Sequence, residues 1–258
     1  MTTSLSPIVV SRIEKAATDN GFDQVLEPED DWLVFASTQC PVRVWLGMFG
    51  GAVFLAAFSQ QNVVQALGDY GSPMGAPMPQ GAAGGRTVLD VPALHRLLRR
   101  ALQLSKALPS ELLHTFEKHV AELPKTTEAE RLVVQRVGQN LFREGLLELW
   151  EGKCAATGLA VPALLRASHI KPWADCETDA ERLDVYNGLL FAPHLDAAFD
   201  RGFITIKDDG AVVVGDALDA EDRVILGLTQ PLRVRSLIDA HRAYLPWHRQ
   251  RIFNRPQP

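Results

Sequence analysis

The sequence predicts an α+β protein in two parts: an N-terminal meander of strands with flanking helices, then a helix-flanked domain of short strands. Three observations carry this. Helical periodicity and short β-branched or aromatic runs occupy separate stretches instead of alternating in βαβ order. Gly, Pro, Asn and Asp punctuate the runs at hairpin spacing. Hydrophobic residues make up 47% of the 258-residue chain against 22% charged, enough to build a core.

Residues 8 to 20 alternate apolar and polar at helical spacing and end at Asn20-Gly21, a left-handed helix stop. Three strand-like runs follow, Trp32 to Ser37, Val42 to Gly47 and Ala52 to Phe58, separated by Pro41 and Gly50-Gly51. The Gly-, Pro-, Ala- and Met-rich stretch Gly68 to Arg86 reads as a long loop. Residues 91 to 106 are helical, with Leu94, Leu97, Leu98, Ala101 and Leu102 on one face and Pro109 as the stop. Residues 110 to 122 form another amphipathic segment that Pro124 ends, and Lys125-Thr126-Thr127 reads as a linker. The domains are accordingly expected at 1–124 and 125–258.

Thr127 and Glu130 have capping-box spacing, so a long helix is expected over Glu128 to Trp150, with Gly138 and Gly145 as weak points inside it. Beyond it short strands mix with one short helix. Asp208-Asp209-Gly210 between Phe203-Ile204-Thr205-Ile206 and Val212-Val213-Val214 is a hairpin signal.

No apolar run is long enough for a transmembrane helix, and the first residues do not read as a secretory signal. The cysteines, Cys40, Cys154 and Cys176, are odd in number and far apart, which suggests neither a disulfide framework nor a CxxC zinc site and points to a reducing cytoplasm. Net charge is −5, but it is uneven. Residues 1 to 90 hold nine acids against four bases, whereas from position 230 onward six arginines face the single acid Asp239. Such a basic segment suits one nucleic-acid-binding face or simply a solvated helix.

Three pieces carry chemistry. His169 ends an apolar run before Pro172, so it sits at a strand end where a base can be ordered yet reach water; a structural histidine looks the same in isolation. Asn187-Gly188 precedes Leu189-Leu190-Phe191 and reads either as a turn in which Gly188 supplies positive φ or as an asparagine that pins the loop bearing the base. Pro193 to Gly202 reads as a short helix with Asp196 and Asp200 four apart on one face and Leu195 and Phe199 on the buried one. Two stacked carboxylates are either a solvated tip or a seat for a hard divalent cation.

In this order the pieces resemble the HNH, or ββα-metal, endonuclease family, in its branch with Ala167-Ser168-His169-Ile170-Lys171-Pro172-Trp173, then Asn187-Gly188-Leu189-Leu190, then a short helix bearing two ligands. The similarity runs from about residue 128 to 215, through Arg136-Val137-Gly138-Gln139, Phe142-Arg143 and Cys154-Ala155-Ala156-Thr157-Gly158. It implies metal-dependent hydrolysis of phosphodiesters, with His169 as general base, Asn187 as the loop anchor, and Asp196 and Asp200 as metal ligands, His194 being a further contact. Arg136, Gln139, Arg143 and Lys171 would meet phosphates. Two departures stand out: Asp196 where a histidine is frequent, which favours Mg²⁺ or Mn²⁺ over Zn²⁺, and Ser168 where a ligand often precedes the base. Thr157 stands where a second cysteine would be needed, so no structural zinc is expected. DNA is the implied substrate, in a restriction or defence setting. The first part of the chain is expected to be a specificity or interaction module, its acidic balance pointing to a protein partner or a homodimer. The alternatives are a DNA-binding protein on a degenerate nuclease fold and a toxin nuclease.

Overall fold

The computed structural model describes residues 5–75, 77–121, 123, 127–253 and 255. Helices and antiparallel strands are segregated as the α+β class requires, in two units, 1–106 and 107–258. The division falls earlier than the expected 124/125 boundary. Helix α4 (Pro109–Val120) packs on α5 (Glu128–Leu149), with Leu112 against Gly145 and Phe116 against Gly138. Pro124 and the linker residues Lys125-Thr126 lie outside the described residues. No described helix is long and apolar enough to cross a membrane.

The first unit opens with α1 (Pro7–Asp19), which has Pro at its first turn and ends where Gly21 takes φ +84°. The meander forms as β2 (Leu33–Ala36), β3 (Val44–Phe49) and β4 (Val53–Phe58), extended at one edge by β1 (Gln24–Val25). After α2 (Gln61–Ala66), the stretch read as a loop contributes β5 (Ser72–Pro73) and β6 (Gly84–Val88). The sheet order is β1-β2-β3-β4-β6-β5. Glycine pairs lack strand propensity, so β6 is invisible to pattern reading. Packing selects them: a Cβ on Gly85 would lie 2.8 Å from the Ala56 carbonyl and 2.7 Å from Met74. Helix α3 (Val91–Lys106) packs on α1 and buries Leu94, Leu97, Leu98 and Ala101.

In the second unit, α5 has the expected capping box. Glu130 N donates to Thr127 Oγ1 at 3.2 Å and Thr127 N to Glu130 Oε2 at 2.8 Å. Gly138 and Gly145 do not break the helix; both are buried, and they admit Trp173 and Phe116 at one level and Leu112 and Val185 a heptad later. Then come β7 (Arg166–His169), α6 (Asp179–Arg182), a 3-10 turn (Val185–Asn187), β8 (Gly188–Phe191), α7 (Pro193–Asp200), β9 (Ile204–Ile206) and β10 (Val212–Val214). Strands β7 and β8 pair antiparallel, His169 opposite Gly188 and Ser168 opposite Leu189. β9 and β10 form the hairpin around Gly210, which takes φ +88°. The chain closes with α8 (Ala220–Ile225), α9 (Asp239–Arg242) and α10 (Leu245–Arg251).

Candidate active site

Hairpin β7–β8 lies between α5 and α7, and that sandwich positions every candidate group. Gly188 is in extended backbone, φ −148° and ψ 153°, so it does not serve a positive-φ turn. It serves close approach: a Cβ there would lie 2.5 Å from Phe142 and 2.9 Å from Leu146. On the other side Ser168, 2% exposed, donates its hydroxyl to Asp196 Oδ1 of α7. Neighbouring strand residues point to opposite faces, so Ser168 addresses α7 while His169 addresses α5.

The His169 ring stacks on Phe142 at 3.7 Å between centroids and meets the edge of Trp173 at 5.8 Å. Its Nε2 lies 2.9 Å from the Arg182 carbonyl. A carbonyl only accepts, so Nε2 carries the proton and Nδ1 carries the lone pair. No hydrogen bond among the described residues engages Nδ1. Burial pushes the His169 pKa down to about 4, against the opposing Arg182 bond, so the ring is neutral near pH 7.

Asn187 is fully buried and holds the loop that follows His169. Its Oδ1 accepts from Lys171 N at 2.8 Å, and its Nδ2 donates to the carbonyls of Lys171 at 3.1 Å and Glu181 at 3.2 Å and to Cys176 Sγ at 3.4 Å. Burial pushes the Cys176 thiol up to about 11, so it stays protonated and faces the Lys171 and Pro172 carbonyls. Sequence reasoning missed Arg182. Its guanidinium bonds the Trp173 and Cys176 carbonyls and Asp179, which shapes the loop whose own carbonyl fixes His169. Only the fold brings that carbonyl to Nε2, and no spacing signals it.

Asp196 and Asp200 share one face of α7. Enclosure by protein, and then the Asp196 charge, push Asp200 up to about 6, with Arg201 opposing. The Asp200 residue still reaches solvent, so water screens part of that penalty. His194 is exposed and two residues from Asp196, which turns it about 200° away on the helix. The structure does not bring it to the pair, and no group of three or more His, Cys, Asp or Glu among the described residues is placed to hold a metal. Nor does the His169 ring contact either carboxylate.

Of the four expected phosphate contacts, two are otherwise engaged. Lys171 Nζ pairs with Glu181 Oε1 at 2.6 Å, an ion pair that raises the lysine pKa. Arg143 donates to the carbonyls of Leu165 at 2.6 Å and Pro162 at 2.8 Å, bracing the approach to β7. Arg136 and Gln139 are exposed on α5. The arginine-rich tail is likewise partly spent within the unit: Arg233 on Asp209, Arg242 on Asp239 and the Asp208 carbonyl, Arg249 on Asp208 and the Ile206 carbonyl.

Where a zinc knuckle would need a second cysteine, Cys154 Sγ instead accepts backbone N–H groups from Thr157 at 3.4 Å and Ala192 at 3.3 Å. No curated protein matches the chain. Residues 154–207, which span β7, β8, α7 and β9, match the family model for HNH endonuclease, and the chain therefore carries an HNH endonuclease domain over that span.

Proposed function

We propose that the protein is a metal-dependent endonuclease that hydrolyses DNA phosphodiester bonds, with His169 as general base and Asp196 and Asp200 as the carboxylates for a divalent ion. The observation that carries this reading is the fixed tautomer of His169. Its Nε2–H is committed to the Arg182 carbonyl, which leaves Nδ1 as a neutral acceptor for a proton from water.

The donors on α7 fit a hard ion. They are all oxygen, and the Asp196 charge adds to the enclosure that raises the Asp200 pKa. Mg²⁺ and Mn²⁺ suit such a pair because much of their shell comes from water and substrate phosphate. When bound, the ion polarises a non-bridging phosphate oxygen and stabilises the leaving oxygen. Ser168 orients Asp196 by donating to it, Asn187 keeps the loop after His169 in register, and Arg136 and Gln139 meet the DNA backbone. The first unit serves as a specificity or interaction module, as in restriction and defence, by architecture alone. The three free, buried cysteines agree with a reducing cytoplasm.

Supercoiled plasmid, modified and unmodified, with Mg²⁺ or Mn²⁺ tests the reading. Wild type should nick it, and His169→Ala or excess chelator should stop nicking without loss of DNA binding. Undiminished cutting by His169→Ala rejects the assignment. A second reading, a DNA-binding protein on a degenerate nuclease fold, draws on Ser168 occupying an Asp196 oxygen; a mobility shift by wild type without nicking would favour it.

A further inference from the structure

The segment that follows the matched span returns to the site. His248 of α10 is fully buried and its ring lies flat on Phe199, 3.7 Å between centroids and 3° between planes. Its Nε2 is 3.0 Å from the Phe199 carbonyl and its Nδ1 is 2.9 Å from Thr205 Oγ1. The carbonyl must accept, so Nε2 is the protonated nitrogen and Thr205 donates to Nδ1. One imidazole therefore ties the last turn of α7 to β9, at the residue before Asp200. The following loop reinforces this contact. A Cβ on Gly202, which takes φ +75°, would lie 2.3 Å from the Ile252 carbonyl just beyond α10. The same segment reaches the other half of the site: Tyr244 Oη donates to Asp184 Oδ2 at 2.8 Å, and Asp184 Oδ1 caps Tyr186 N at 2.9 Å, one residue before Asn187.

We infer that His248 is a positioning residue for Asp200, and that the C-terminal segment is a working part of the nuclease site. Carbonyls in the last turn of a helix have no partner within the helix, and at the end of α7 the following loop supplies them: Gly202 N donates to the Phe199 carbonyl at 2.9 Å and Phe203 N to the Ala198 carbonyl at 2.8 Å. These backbone bonds leave the Phe199 carbonyl one further lone pair for His248, and Asp200 follows Phe199 directly. With Nε2–H on the Phe199 carbonyl, the turn is held and the second carboxylate keeps its place relative to Asp196. The inference rests on the proposed metal role of the aspartates.

The test uses the full chain and Mn²⁺ itself, its binding read by electron paramagnetic resonance of the free ion, with thermal unfolding measured in parallel. His248→Phe keeps the stacking and loses both hydrogen bonds; it should weaken Mn²⁺ binding about tenfold, the scale of losing an interaction that orients a ligand. His248→Gln, which can still donate to the Phe199 carbonyl, should stay within about threefold of wild type. If His248→Phe does not fold, Thr205→Val removes the Nδ1 donor and should weaken binding in the same sense. A His248→Phe protein that melts lower yet binds Mn²⁺ like wild type overturns the positioning role alone. A wild type that binds no Mn²⁺, or an Asp200→Asn variant that binds it unchanged, overturns the metal reading beneath it.

Discussion

Asn187 grips Lys171 by both backbone groups: its Oδ1 takes the Lys171 N–H at 2.8 Å and its Nδ2 donates to the Lys171 carbonyl at 3.1 Å. A single amide thereby substitutes for a strand partner just where β7 ends, and its remaining proton reaches the Glu181 carbonyl across the loop. The loop so closed includes Arg182, whose carbonyl fixes the His169 tautomer. Asn187 thus acts on the base through the backbone without touching the ring.

Asn187→Ala should therefore cost more than a typical surface change. It orphans part-buried backbone groups of Lys171 and Glu181, which amounts to about 3 kcal/mol for several lost hydrogen bonds. Urea unfolding gives the number, and proteolysis should open the chain between 171 and 183 first. A loss below about 0.5 kcal/mol, the scatter of surface substitutions, would show that the loop holds itself.

Gly188→Ala separates two accounts of that glycine. The backbone there is extended and tolerates any residue, so a turn-based cost is absent. The methyl would instead meet Phe142 and Leu146, at about 1–3 kcal/mol. Phe142→Leu in the same chain should recover part of it, and a double-mutant cycle reads the coupling. Additive effects would show that the two side chains do not compete for one space.

Exposure divides the cationic and polar candidates. Arg136→Ala should weaken DNA binding and lower the salt slope by about 1, because an exposed arginine is free to displace a counterion. Lys171→Met should leave the slope unchanged, since Glu181 already holds the ammonium. Binding isotherms at several salt concentrations decide between them, and equal slopes for wild type and Arg136→Ala would remove Arg136 from the interface.

Buried neutral histidines set the acid limit of the second unit. Burial holds His241 down to about 3 and His248 down to about 4, with Arg242 and Arg249 adding to the effect and the Phe199 bond opposing it at His248. Their folded pKa values lie below the unfolded value near 6.5, so the unfolded chain takes up protons that the folded chain refuses. The stabilisation is complete above pH 6.5 and falls as pH drops, by about 2 kcal/mol for each at pH 5. Asp200, raised to about 6, works in the opposite sense over the same interval, and its exposure keeps that offset smaller. Melting temperatures at pH 7.5 and 5 should differ by several degrees, and His248→Phe should narrow the gap. A flat profile would contradict the burial of these rings.

What the sequence determined by itself was local. Helix α5 with its Thr127–Glu130 cap, the three central meander strands, the hairpin at Gly210 and the pairing of Asp196 with Asp200 on one helix face all follow from period, turn chemistry and spacing, which act within a few residues. The order His169, Asn187, Asp196, Asp200 was legible for the same reason. Only the tertiary structure decided the rest. Gly84-Gly85 become a strand, and Gly188 an extended residue, because of what packs on them. Lys171, Arg143 and Arg249 bond within the unit because partners 10 to 43 residues away are brought to them. The Arg182 carbonyl at His169 Nε2 and the Phe199 carbonyl at His248 Nε2 are backbone acceptors brought close by folding. A carbonyl is present at every residue, so its position as a ligand leaves no mark in the sequence.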